Sequence, residues 1–140
     1  MQVSALDHVT LVTSNLDRSI AFYRDILNLR QIQRPAFKVV GAWMASGTFE
    51  LHLAVNPQGH LRSVSEIDIG DIHFAIRVVD FEATVSHLEA MGYSEAAPHG
   101  DPKRLVFSLD GPAPFKQVYL LDPDNHLIEI NDAPVKVPRT

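Results

Sequence analysis

Histidines and carboxylates on strand-like stretches are the residues of this chain with the most chemistry to offer. His8 opens the alternating run HVTLV and His73 opens HFAIRV. Glu50 and His52 sit in FELHL, and Glu129 sits among apolar residues in LDPDNHLIEI. Imidazoles and carboxylates without thiolates suit a divalent transition metal such as Ni, Zn, Co, Mn or Fe(II). An ion would also account for Glu129, because a buried carboxylate with no partner is costly and a cation compensates it directly. One histidine on a strand is more often structural than a ligand. The recurrence of such residues at equivalent positions is what points to a site.

That equivalence comes from an internal repeat. DHVTLVTSNLDRSIAFYRDILNL, from Asp7, and IHFAIRVVDFEATVSHLEAMGY, from Ile72, superpose when His8 is laid on His73. Each copy reads as histidine, alternating apolar residues, cap and helix. In the first, Ser14 or Asn15 caps, Asp17 adds negative charge to the first turn, Ile20, Tyr23 and Leu27 form the apolar stripe, and the helix ends near Asn28. In the second, Asp80 caps, Val85, Leu88 and Met91 form the stripe, and Gly92 stands at the left-handed C-terminal position. Strand signals follow each helix, at 29–33, 38–45 and 48–55 in the first half and at 93–97, 104–109, 117–120 and 127–130 in the second.

The expected fold is therefore α+β: a single domain over 1–140 built of two βαβββ modules, 5–56 and 71–132, with a polar, Pro- and Gly-containing connector at 57–70. One helix covers one face of each small mixed sheet and leaves the other bare. The two modules are expected to pair into a curved mixed sheet around a cleft, which would gather His8, His73, Glu129 and either Glu50 or His52. Residues two apart on a strand share a face, so the sequence leaves both Glu50 and His52 open.

Composition narrows the partners. The chain has 140 residues and is 46% hydrophobic, enough for a core of its own. Its net charge of -5, with no basic cluster, argues against nucleic acid. The absence of cysteine excludes disulfides, zinc–thiolate sites and cysteine nucleophiles. MQVSALDHV lacks the basic-then-apolar pattern of a signal peptide, and no apolar run is long enough to cross a bilayer; a cytoplasmic protein without a membrane partner is expected.

With DHVTLVTSNLDRSIAFYRDILNL, GAWMASGTFELHLAV, DIHFAIRV and YLLDPDNHLIEI in this order, the chain resembles the vicinal oxygen chelate superfamily from about Leu6 to Asn131. That superfamily contains glyoxalase I, extradiol dioxygenases, methylmalonyl-CoA epimerase, and the fosfomycin and bleomycin resistance proteins. The resemblance implies paired βαβββ modules, a homodimer, and a cleft metal chelated by two adjacent oxygens of a small-molecule substrate. It implies metal ligands at His8, His73 and Glu129, with His52 as the second ligand and Glu50 as its alternate.

A divalent ion so placed acts as a Lewis acid that stabilises an enolate, and Glu129 or Glu50 is the candidate base. The implied function is a metal-dependent lyase or isomerase of the glyoxalase type. The alternatives are an extradiol-type dioxygenase using His8, His73 and Glu129 around iron, and a metal-free antibiotic-binding module of the bleomycin-resistance kind. Trp43 either lines an apolar substrate pocket or belongs to the core. Lys103, Arg104 and Lys116 either hold an anionic substrate group or are solvated. His60, His87, His99 and His126 are expected to be exposed. The loops 98–104 and 110–116 either border the cleft mouth or are plain hairpin connections.

Overall fold

Strand β1 (His8–Thr13) runs parallel to β4 (Phe49–Val55), and parallel neighbours need a crossover, which helix α1 (Leu16–Asp25) supplies. Strands β2 (Arg30–Ile32) and β3 (Gly41–Ser46) complete a four-stranded mixed sheet in the order β1-β4-β3-β2. The second half repeats the plan with β5 (His73–Arg77), α2 (Phe81–Ala90), β6 (Val106–Ser108), β7 (Gln117–Leu121) and β8 (Leu127–Asn131), in the order β5-β8-β7-β6. The chain is thus α+β with two open mixed sheets and one helix per sheet. This is a computed structural model, and it describes residue 3 and residues 5–135. Contacts divide it into two units between Ser63 and Val64. Among the described residues no helix is long and apolar enough to cross a membrane.

The helix ends follow their cap chemistry. Asn15 rather than Ser14 is the N-cap of α1, its side chain accepting from the Arg18 amide at 3.0 Å. The helix stops at Asp25, and Asn28 turns the chain with φ +54°, a conformation that asparagine tolerates better than most residues. In α2 the Asp80 carboxylate accepts from the Ala83 amide at 2.9 Å, and Gly92 takes φ +87° just beyond the helix. Asp80→Ala is expected to lower stability by about 1 kcal/mol in urea unfolding, the ordinary value of an N-cap. An unchanged midpoint would mean that α2 does not depend on this cap.

The buried face of α1 differs from the apolar stripe read from the sequence. Ser19, Phe22 and Tyr23 are buried, while Ile20 and Leu27 are half-covered. A serine reaches the core because its Oγ lies 2.6 Å from Thr13 Oγ1, so two buried hydroxyls satisfy each other. Apolar periodicity gives no weight to such a pair. In the second half, the strand expected at 93–97 shrinks to one bridge between Ser94 and Arg104. The Ala97 amide turns back onto the Ser94 carbonyl at 3.3 Å, so the segment curls away instead of extending.

Strand alternation then decides what faces where. In the first unit α1 packs on β2, β3 and β4, and Leu11, Ala42, Met44, Leu51 and Leu53 are buried with Phe22 and Tyr23. The opposite parity turns His8, Thr10, Trp43, Glu50 and His52 to the other face. In the second unit Val118, Leu120, Ile128 and Ile130 share one parity and are buried, as are Phe81 and Leu88 of α2. The other parity carries Gln117, Tyr119, Glu129 and Asn131. On that face Tyr119, Leu121 and Leu127 form a cluster joined by Ile67 and Val106. The connector is divided between the units. A side chain at Gly59 would meet Val12 Cγ2 at 2.8 Å in the first, whereas Ile67 packs into the second.

Candidate metal centre

In the first unit His8 lies opposite Glu50, and His52 lies opposite Thr10 on one side and Trp43 on the other. Three rings form a stack across the strands. The His8 and His52 centroids are 3.9 Å apart at 16°, and those of His52 and Trp43 are 4.2 Å apart at 7°. His8 Nδ1 is 2.8 Å from the Asp7 carboxylate, which accepts its proton and leaves Nε2 open. His52 Nε2 is 3.3 Å from Glu50 Oε2.

In the second unit His73 lies opposite Leu127, and Glu129 lies opposite Ala75 and Tyr119. Laying β1, β4 and β3 on β5, β8 and β7 puts His8 on His73, Trp43 on Tyr119 and His52 on Glu129. Pairing register therefore gives His52, not Glu50, the position equivalent to Glu129. The sequence could not make this choice, because two residues of one strand face satisfy it equally.

Glu129 is buried, and the protein itself satisfies it. Its Oε1 accepts from Gln117 Nε2 at 2.9 Å and Asn131 Nδ2 at 2.7 Å; its Oε2 accepts from Tyr119 Oη at 3.1 Å and lies 3.3 Å from His73 Nε2. The expectation that Glu129 needs a metal because it lacks protein partners is thereby corrected. Burial pushes its pKa up, but the bonds from Gln117, Asn131 and Tyr119, with the nearby His73, outweigh that and hold it below 4.5. Burial and the Glu129 charge together raise the Tyr119 phenol to about 12, so it stays a donor.

A carboxylate with a lowered pKa makes a signed prediction. As pH falls, the unfolded chain protonates Glu129 before the folded chain does. This contribution to stability is complete above about pH 4.5 and is lost as pH drops through the lower folded value. In chelator-treated protein, Glu129→Gln is expected to show a smaller fall in urea midpoint than wild type between about pH 7 and pH 3. Equal falls would show that Glu129 is not one of the groups behind acid instability.

The donor chemistry fits a divalent ion. His73 Nδ1 is 2.7 Å from the Asp71 carbonyl oxygen. A carbonyl only accepts, so Nδ1 carries the proton and Nε2 presents its lone pair when the ring is neutral. That lone pair faces a carboxylate oxygen. Two acceptors at 3.3 Å repel unless a proton or a metal cation lies between them. Such backing of the distal ring nitrogen by a carbonyl or carboxylate is how metal-binding histidines are usually oriented, and Asp7 backs His8 in the same way. The sequence-predicted ligands fall two to each unit, His8 with His52 and His73 with Glu129. Among the described residues no group of three or more potential ligands is assembled.

The other singled-out residues sort by their contacts. Trp43 lines a cavity of about 640 Å³ in the first unit, with His8, Arg34, Phe37, Val39 and His52 among its other walls. Lys103 Nζ donates to the Met91 carbonyl at 2.7 Å, Arg104 donates to the Ala97 carbonyl, and Lys116 pairs with Glu82, so all three act locally. His60 and His99 are exposed as expected, but His87 and His126 are half-buried. His87 lies in the last turn of α2, and the His126 backbone exchanges hydrogen bonds with Asp122. Gln117, Tyr119 and Asn131 were missed in the sequence. Their signal was parity: Asn131 stands two residues after Glu129 on β8, and Gln117 and Tyr119 stand two apart on the neighbouring strand.

A parallel pair of strands bridged by a helix, widened by two antiparallel strands and built twice in one chain, defines the glyoxalase-like fold class. The sequence matches the glyoxalase/bleomycin resistance protein/dioxygenase superfamily over residues 5–130, and the chain belongs to that superfamily. Glyoxylase I 4 of Arabidopsis thaliana is 26% identical over 132 residues, which are 93% of this chain and 71% of that protein. A Bacillus anthracis structure assigned to the glyoxalase family aligns with a TM-score of 0.73 at 19% identity, over 94% of this chain and 96% of the other. The fosfomycin resistance protein FosX of Listeria monocytogenes, in a mutant form complexed with Mn(II) and 1S,2S-dihydroxypropylphosphonic acid, aligns with a TM-score of 0.70 at 17% identity, over 96% and 95% of the two chains.

Proposed function

We propose that the protein is a metal-dependent enzyme of the glyoxalase type, a lyase or isomerase, acting on a small substrate with vicinal oxygens. His8, His52, His73 and Glu129 hold the ion, which is Ni, Zn, Co, Mn or Fe. The observation that carries this reading is the His73–Glu129 pair, in which a carbonyl-locked imidazole turns its Nε2 toward a carboxylate at 3.3 Å. When bound, a divalent ion supplies Lewis acidity, stabilising negative charge on the substrate oxygens as the neighbouring carbon loses its proton.

The protein's own groups divide the remaining work. Gln117, Asn131 and Tyr119 fix the Glu129 carboxylate in its ionised form, which suits a ligand and makes it a poor base. Glu50 suits the base role better, since among the described residues its half-exposed carboxylate has only the 3.3 Å contact with His52 Nε2 as a hydrogen bond or ion pair. In the proposed step the substrate C–H bond breaks, its proton goes to a Glu50 oxygen, and its electron pair moves toward the adjacent carbonyl oxygen. Glu50 then returns the proton to a neighbouring carbon in an isomerase, or a leaving group departs in a lyase. The superfamily often forms dimers, and a homodimer is the proposed assembly.

The test is metal content by elemental analysis of untagged protein, followed by α-proton exchange into D₂O with small α-hydroxy carbonyl compounds, with and without the metal. About one divalent ion per chain and metal-dependent exchange that Glu50→Gln abolishes are expected. A chain that binds none of the five metals, yet retains small molecules, is instead the metal-free binding module of the superfamily, the reading that the first-unit cavity favours.

A further inference from the structure

The cavity of the first unit is chemically polarised. At one end lie the carboxylates of Asp7 and Glu50, each held against a histidine, on His8 Nδ1 and His52 Nε2. At the other end the loop 33–40 brings Arg34, Phe37 and Val39 to the wall. Between them stands the indole of Trp43, with one neighbour stacked, His52 at 4.2 Å, and the other tilted, Phe37 at 6.0 Å and 43°. Phe37 and Val39 are 55% and 49% exposed, so the rim presents apolar surface that the fold does not cover.

Arg34 is the unspent group of this wall. Its guanidinium lies 4.9 Å from the Phe37 ring centroid, and Nη2 donates to the Val39 carbonyl at 2.7 Å. Its Nε is buried with no hydrogen-bond partner, and no ion pair neutralises the side chain among the described residues. A guanidinium offers five N–H donors in a planar fork that matches a carboxylate, and among the described residues one of them is used. An arginine beside an aromatic wall, in a cavity of about 640 Å³, is complementary to an organic anion with a flat apolar body.

We propose that this cavity recognises an arylalkyl carboxylate, with the ring packed against Phe37 and Trp43 and the carboxylate on Arg34. The repulsion of Asp7 and Glu50 orients the ligand, keeping its anion at the loop and its ring against Trp43, on the side of His52 and His8. The inference deepens the proposed function by naming the class of its substrate, and it rests on that reading only for the statement that this ligand is turned over. Arg34 is then a residue that determines specificity.

Trp43 is the only tryptophan in the chain, so its fluorescence reports this cavity directly. The probes are 3-phenylpropionate, its neutral amide 3-phenylpropanamide, and the saturated 3-cyclohexylpropionate, each titrated into the full-length chain. The acid is expected to change Trp43 emission saturably and to bind about tenfold or more tighter than the amide, because a charge-assisted bidentate contact is lost in the amide. Arg34→Gln is expected to bring acid and amide within about twofold of each other. Arg34→Lys, which keeps the charge and loses the fork, should lie between; it serves as the test if circular dichroism shows Arg34→Gln unfolded. No saturable change with 3-phenylpropionate, equal binding of acid and amide, or a preference that survives in the arginine variant overturns the proposal. Equal binding of the cyclohexyl acid overturns its aromatic part. His73→Ala, on the other unit, is expected to leave the acid-to-amide ratio unchanged while metal binding is lost, so failure of the metal reading and failure of this one give different results.

Discussion

Replacing His73 by alanine is expected to weaken Mn(II) binding about a hundredfold or more while leaving the circular dichroism spectrum unchanged. Changes in the groups that merely orient a metal ligand cost roughly 10- to 100-fold in affinity, so removing the ligand itself should reach at least the upper end of that range. His73 is a cleaner choice than Glu129. Its imidazole is 27% exposed and touches the Asp71 carbonyl, the edge of Glu129 and, ring to ring at 5.8 Å, Tyr119, so its loss strands no buried donor. Glu129→Ala would take from Gln117, Asn131 and Tyr119 the carboxylate to which each donates on a largely buried face, and lost stability would be mixed with lost affinity. Isothermal titration of chelator-treated protein with Mn(II) decides the matter. Wild-type affinity in His73→Ala would remove this residue from the site and take the proposed lyase or isomerase chemistry with it.

The second large effect lies behind the ring stack. Leu51→Ala is expected to destabilise the chain by about 2–5 kcal/mol, the range for truncating a fully buried leucine. Leu51 is 0% exposed and sits on β4 between Glu50 and His52, with opposite parity. Its side chain therefore holds β4 down on the helix side so that its two neighbours point the other way. Partial collapse of the cavity would shift β4 and loosen the stacking of His52 on Trp43. A lower urea midpoint with a changed Trp43 emission maximum is expected. A loss under about 1 kcal/mol would mean that Leu51 is not a core anchor of the first unit.

Much of this architecture could be read from residue order. The two histidine-led repeats gave both crossover helices, the Asp80 cap and the Gly92 stop, because period and cap chemistry are local properties of the chain. Superfamily membership was legible for the same reason: four spaced motifs carry it, and together they span most of the length. What local pattern could not supply was cross-strand register. Whether Glu50 or His52 matches Glu129 depends on which residue of β4 lies opposite His8, a fact fixed only when β1 and β4 pair. The buried Thr13–Ser19 contact escaped for a related reason, since two polar residues mutually satisfied inside a core look like surface residues in the sequence. So did the environment of Glu129. The sequence established a carboxylate among apolar neighbours; tertiary pairing brought Gln117, Tyr119 and Asn131 to it, because hydrogen-bond partners on adjacent strands are set by geometry across the sheet and not by distance along the chain.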